Sequence, residues 1–230
     1  MNDFFTTSVY TGVVVSLLAY MLGVYLRKKF DIAILNPLLV SVVVTILVLV
    51  AGKVDYDIYY EGAKYISWFL TPATVCLAIP LYEQLTLLKK NLKAVIIGIT
   101  SGVLASLLTV FLLSLLMGLS HKEYVTLLPK SITTAIGMGV SEELGGYVTI
   151  TVAVIVITGV LGNILAEPVC KLFRITEPIA KGVAIGSSSH AIGTAKAMEM
   201  GEIEGAMSSL SIAVAGILTV IGASIFSKLL

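Results

Sequence analysis

Two polar segments interrupt an otherwise apolar chain, and their residue types define the chemistry open to it. Ser187 to Glu202 reads SSSHAIGTAKAMEMGE, and Ser131 to Gly146 reads SITTAIGMGVSEELGG. At a fixed offset of 56 they share Ser131 with Ser187, Ala135 to Gly137 with Ala191 to Gly193, Glu143 with Glu199 and Gly145 with Gly201. That is six identities in sixteen positions without a gap, the mark of an internal repeat. The hydroxyls of Ser131, Thr133, Thr134, Ser187, Ser188, Ser189 and Thr194 can hydrogen-bond a carboxylate or an alcohol without adding a charge to a membrane interior. Gly137 and Gly193 let a ligand approach the backbone, and Lys196 can supply one formal positive charge. Half-helices starting near Thr133 or Ser189 would aim unpaired N–H groups at the same place. Asn163 and Glu167 share a helix face and can reach the second segment. Together these residues describe a site for a small anion.

Each residue also has a plainer reading. Gly and Ser serve close helix packing in membranes, as the spacing of Gly98 and Gly102 would suit. His190 makes a structural hydrogen bond or carries a proton. Glu142, Glu143 and Glu199 cap hairpin ends at the interface or take part in coupling, and Lys196 pairs with substrate or snorkels to the surface. The coupling candidates are therefore Glu143, Glu199 and His190, with sodium held by backbone carbonyls as the other possibility. No orienting acid accompanies His190 at a recognised motif spacing, and there is no nucleotide-binding loop, so enzyme activity is not expected. Cys76 and Cys170 have no companions at disulfide or metal spacing, so no metal or cofactor is expected.

The elements that position these residues follow from composition. The 230 residues are 57% hydrophobic and only 13% charged, with a mean hydropathy of +1.01. Apolar runs near the ~20 residues needed to cross a bilayer recur along the chain. This is the pattern of an all-α membrane protein with the lipid bilayer as its solvent. Fifteen Lys and Arg balance fourteen Asp and Glu, which gives no basic face for nucleic acid. Six crossings are read at about Thr7 to Leu26, Asn36 to Gly52, Tyr65 to Tyr82, Lys93 to Gly118, Tyr147 to Ala166 and Ile203 to Phe226. Pro72 and Pro80 predict a kinked or broken third segment, with Thr71 and Thr74 beside the freed carbonyls. Asn36-Pro37 suits a helix start. A single multi-pass domain over 1–230 is expected, with halves 1–118 and 119–230.

Threading the six crossings with the N-terminus outside puts nine cations on one side, among them Arg27, Lys28, Lys29, Lys171 and Arg174. Five fall on the other: Lys53, Lys64, Lys122, Lys130 and Lys228. The excess marks the first side as cytoplasmic. Only Asp3 is charged before the first apolar run and Arg27, Lys28 and Lys29 follow it, the reverse of a cleavable signal peptide. The threading makes Pro129 to Gly146 and Gly182 to Glu202 re-entrant or broken-helix hairpins that enter from opposite faces, an inverted-repeat plan. Polar backbone at that depth survives only around a shared hydrated pocket.

The segments LNPLLVSVV, TPATVCLAIPLYEQ, LPKSITTAIGMGVSEELGG, LGNILAEPVCKLF and AIGSSSHAIGTAKAMEMGEIEGAMSSL resemble the LrgB/CidB family of bacterial inner-membrane proteins, from about Leu35 to the C-terminus. A plant relative of that family is the plastid glycolate/glycerate translocator. The resemblance implies an antiholin-like regulator of murein hydrolase activity and autolysis with an LrgA/CidA-type small membrane partner. It equally implies a transporter of small monocarboxylates such as pyruvate, glycolate and glycerate. The chain resembles the bacterial form, without the plant protein's fused LrgA-like half. Homo-oligomers are common for carriers this small.

Overall fold

The computed structural model describes residues 10–30, 35–76 and 78–230, apart from the side chains at 70, 71 and 74. Asp3, the start of the first crossing at Thr7 and the hydroxyls of Thr71 and Thr74 lie outside the described residues. Every regular element described is a helix, in two compact units, Met1–Cys76 and Leu77–Leu230.

The first unit holds α1 (Thr11–Phe30), α2 (Pro37–Gly52), α3 (Tyr56–Ser67) and α4 (Leu70–Cys76). Asn36 caps α2 through its side-chain oxygen, which accepts from the N–H groups of Leu38 and Leu39, and Pro37 takes the first helical position. Proline suits that place because its missing donor would be unpaired there anyway. The stretch KVDYDIYYEGAK, which the six-crossing threading leaves as an outer loop between the second and third crossings, is instead largely helical. Tyr56 and Tyr60, four residues apart, stack at 5.8 Å, and Tyr59 shares a 2.7 Å hydrogen bond with Ser16 on α1. A methyl on Gly12 would run into the backbone of α3 at Tyr59 and Ala63, so the glycine is what lets the two helices touch. The run Tyr65 to Tyr82 is broken, as its prolines predict, across α3, α4 and α5 (Ala78–Glu83).

The second unit continues from α5 into α6 (Leu85–Met117), α7 (His121–Leu127), α8 (Thr134–Glu143), α9 (Val148–Leu172), α10 (Pro178–Met200) and α11 (Glu202–Phe226). Four described helices are long and apolar enough to cross a membrane: α1, α6, α9 and α11. The apolar α2 is shorter, at 16 residues. The core of the unit is a buried cluster that includes Ile99, Leu107, Tyr124, Leu128, Ile132 and Met207.

Helices α7 and α8 form the first hairpin. It starts earlier than the sequence suggests, at Ser120 rather than Pro129. Ser120 and Glu123 form a reciprocal capping box that starts α7 inside a stretch too short and polar to read as a helix. Its arms are short, and α8, at ten residues, spans about 15 Å, half a bilayer's hydrocarbon depth.

Helix α10 is the second hairpin, folded at His190, whose φ of 43° and ψ of −142° are not helical. In a straight helix Ile185 and Ala197 would be about 18 Å apart. Here they share one buried cluster with Ala166, so the two arms lie side by side. The offset of 56 carries α8 onto His190–Glu199 and α9 onto Glu204–Lys228, nearly coincident with α11. The repeat thus comprises a hairpin arm plus the long helix that follows it.

Candidate functional site

Helix α9 fixes the relation of the hairpins, because each is tied to a different end of it. At its start, the Tyr147 N–H donates to Thr126 Oγ1 at 2.8 Å, and Lys122 sits over the Tyr147 ring. The Tyr124 hydroxyl donates to the Phe226 carbonyl of α11 at 3.0 Å. At its other end, Lys196 pairs with Glu167 at 2.7 Å, while Lys181 of the same hairpin pairs with Glu204 at the start of α11 at 3.8 Å. The first hairpin therefore enters at the Ser120 end of the unit and the second at the Glu177 end.

Their tips meet along the middle of α6. Ser131 Oγ lies 3.2 Å from Ser106 Oγ, and a methyl on Gly102, one turn earlier, would strike the Ser187 side chain. A cavity of about 1040 Å³ opens here. One face of α6, from Asn91 through Ser101 and Ser106 to Thr109, supplies its floor; Thr158 and Gly162 of α9 and the arm of α10 from Glu177 to Ser189 supply the walls. The first hairpin contributes Lys130 and Ser131. The cavity runs about 27 Å along α6 from Asn91 to Thr109. At the Ser120 end the tightly packed Tyr124, Val125, Leu128 and Ile132 are all buried.

The candidate residues divide by position. Ser131, Ser187, Ser188 and Ser189 line the cavity. The hydroxyls of Ser187 and Ser188 also donate to carbonyls one turn back, at 2.7 Å. Thr133 is the residue before α8 and Thr134 its first, both half-buried outside the lining. Gly137 packs on Ile155, and Gly193 packs on Ser189 and Ile185 of the opposite arm. Thr194 is buried and shares a 2.7 Å hydrogen bond with Ser208. Asn163 donates to the Ile192 carbonyl at 2.8 Å, holding the second arm to α9. His190 is buried, with Nε2 3.0 Å from the Ile155 carbonyl oxygen.

Lys196 sits away from the cavity, between Glu167 and Glu199 at 2.7 and 3.2 Å. Glu143 and Glu199 are exposed near the outer ends of their arms. Lys130, counted from the sequence as an outer-loop cation, is instead at the first tip, because the hairpin it belongs to dips into the unit. Ser101, Ser106, Thr109 and Thr158 are further lining hydroxyls that the sequence analysis did not single out. Only the spacing of Gly98 and Gly102, read from the sequence as close helix packing, lay beside them. Among the described residues no group of three or more His, Cys, Asp or Glu is placed to hold a metal ion.

A model described as the LrgB-like family matches residues 16–229. The chain belongs to that family. Proteins called "Antiholin-like protein LrgB" from Bacillus cereus (strain B4264) and Bacillus anthracis (strain A0248) are each 39% identical to it over 217 residues, 94% of both lengths. No solved structure matches. In this LrgB-like chain two of the five motifs that carried the resemblance make up the hairpins: LPKSITTAIGMGVSEELGG is the first tip and α8, and AIGSSSHAIGTAKAMEMGEIEGAMSSL runs from the second hairpin into α11.

Proposed function

We propose that this LrgB-like protein is a secondary carrier for small monocarboxylates of the pyruvate, glycolate and glycerate type. The observation that carries the reading is the meeting of two oppositely entering hairpin tips at a hydroxyl-lined cavity. Broken helices at depth are tolerated where they line a watery site, and inverted pairs of them allow access to alternate around it. The packed apolar core toward the Ser120 end and the long cavity toward the Glu177 end fit a carrier open to one side. Lys89, Lys90, Lys93, Lys171, Arg174 and Lys181 surround the Glu177 end, which supports a cytoplasmic position for it in a bacterial inner membrane and, by the sequence threading, an outer N-terminus. Glu143, Glu199 and His190 are the proton-coupling candidates. Purified protein in vesicles should take up radiolabelled pyruvate or glycolate saturably, with a response to an imposed proton gradient if coupling is to protons. No uptake, with or without the small partner, would reject the carrier reading.

The antiholin-like name of the Bacillus relatives favours a second reading, which the family resemblance extends to a regulator of murein hydrolase activity that acts with an LrgA/CidA-type partner or as a homo-oligomer. Replacing Ser189 with a bulky apolar residue separates the two. Lost uptake with intact partner association supports the carrier, and lost assembly with intact uptake supports the regulator.

A further inference from the structure

Lys130 stands apart from the other cations of the second unit. Lys171, Lys181 and Lys196 are paired with carboxylates, Lys122 lies over an aromatic ring, and Lys89, Lys90, Lys93, Arg174 and Lys228 are exposed. Lys130 is half-buried at the first tip, its ammonium donating to Ser131 Oγ at 2.9 Å, with no carboxylate partner among the described residues. An ammonium has three donors and no acceptor. A partly desolvated cation with one neutral partner is costly to keep in a membrane protein and marks a functional position. Lys130 and Glu177 are the only charged residues among those described that line the cavity. Glu177 is at the exposed mouth, beyond the arm that leads to Ser187.

We infer that Lys130, with Ser131 and Ser106, forms the subsite for the carboxylate of a small 2-hydroxy or 2-oxo monoacid, and that its single charge selects monoanions over dianions. The inference rests on the carrier reading and names the residue and ligand class within it. Ser106 faces the first tip and Gly102 the second, so the tips are one helical turn, about 6 Å, apart along α6. A carboxylate held at Lys130 places its neighbouring oxygen toward Ser187, Ser188 and Ser189. A monoanion neutralises the ammonium, whereas a second carboxylate would meet hydroxyls, Gly102 and Ala105, with Glu177 as the next charge.

The test is calorimetric binding of pyruvate, glycolate and malonate to the purified full chain, with unfolding temperatures measured without ligand and uptake measured in vesicles. Wild-type protein should bind pyruvate and glycolate more tightly than malonate. Lys130→Gln should weaken monoacid binding about tenfold or more, the scale of a lost charge-assisted hydrogen bond, and Lys130→Arg should recover most of it. Lys130→Gln should unfold at the wild-type temperature or above, because no carboxylate is stranded when the ammonium goes. Lys89→Gln, at the exposed end of α6, should change neither binding nor uptake. If wild-type protein transports and Lys130→Gln binds and transports equally well, the subsite is overturned and the carrier reading stands. If wild-type protein neither binds nor transports any of the acids, both fall. Collapse of the Lys130→Gln fold, or equal affinity for malonate, would also overturn the subsite.

Discussion

His190 Nε2 lies 3.0 Å from the carbonyl oxygen of Ile155, and this one hydrogen bond ties the fold of the second hairpin to the middle of α9. A carbonyl only accepts, so the proton sits on Nε2 and the ring donates. The same residue has φ 43°, a region in which a side chain is strained and glycine is not. Two effects of opposite sign therefore meet at position 190. His190→Ala loses the hydrogen bond and keeps the strain, and should lower stability by about 1–3 kcal/mol. His190→Gly loses the bond and releases the strain, and should be about 1 kcal/mol less damaging than alanine. Thermal unfolding of the two variants in detergent checks the order. Alanine at or above glycine would show that the backbone at 190 is not strained.

Gly162 and Gly139 make a matched pair. A methyl on Gly162 would overlap the Ser189 side chain, and there is nothing near enough to Gly139 to touch one. Gly162→Ala should cost about 1–3 kcal/mol by overpacking and displace the second tip. Gly139→Ala, on the exposed face of α8, should be neutral or stabilising by up to about 1 kcal/mol. Unfolding temperatures measure both, and vesicle uptake should fall for Gly162→Ala alone.

Lys196 and Glu167 join the second arm to α9 at 2.7 Å, with Lys196 mostly covered and Glu167 less so. Partial exposure limits the pair's worth to about 0.5–1 kcal/mol. A double-mutant cycle of Lys196→Gln and Glu167→Gln should give a coupling of that size that shrinks as salt rises. A coupling unaffected by salt would mean the pair is more buried than it is here.

Glu123 accepts hydrogen bonds from the Ser120 hydroxyl and N–H at 2.7 and 2.8 Å, and these hold its carboxyl below the usual carboxylate range. Because the folded pKa is depressed, the support it gives α7 is complete above the ordinary glutamate value of about 4.3 and is lost as pH falls through the lower folded value. Hydrogen-exchange protection at residues 121–124, taken relative to the intrinsic rate at each pH, should fall on acidification below about pH 4 in the wild type. Glu123→Gln should show no such acid step over the same range.

The two hairpins and their opposed entry were legible because hydroxyls, glycines and charges are conspicuous in an apolar chain and an odd number of crossings separates the segments. Their inner geometry was not. Ser187 and Thr194 are equivalent as residue types, yet one faces the cavity and the other turns to Ser208, a difference set by helix rotation around the fold at His190. Lys130 sits in a turn, where no periodicity assigns a side to it. HKEYVTL looks like a loop on hydropathy, and its helix comes from the Ser120–Glu123 cap and the burial of Tyr124. The sequence left Lys196 either pairing with substrate or snorkelling to the surface. Glu167, one arm's width away on α9, holds it elsewhere.

Gly182, Gly186 and Gly205 remove the side chains along the seam between the second hairpin and α11, so that a methyl at any of them would strike the facing backbone or a side chain. Surfaces this intimate cannot slide, since no rotamer is available to clear the way. In the carrier proposed above, the hairpin and α11 would travel as a single slab, and an exit toward the Ser120 end would open by parting that slab from its other neighbours or by prising apart the first hairpin.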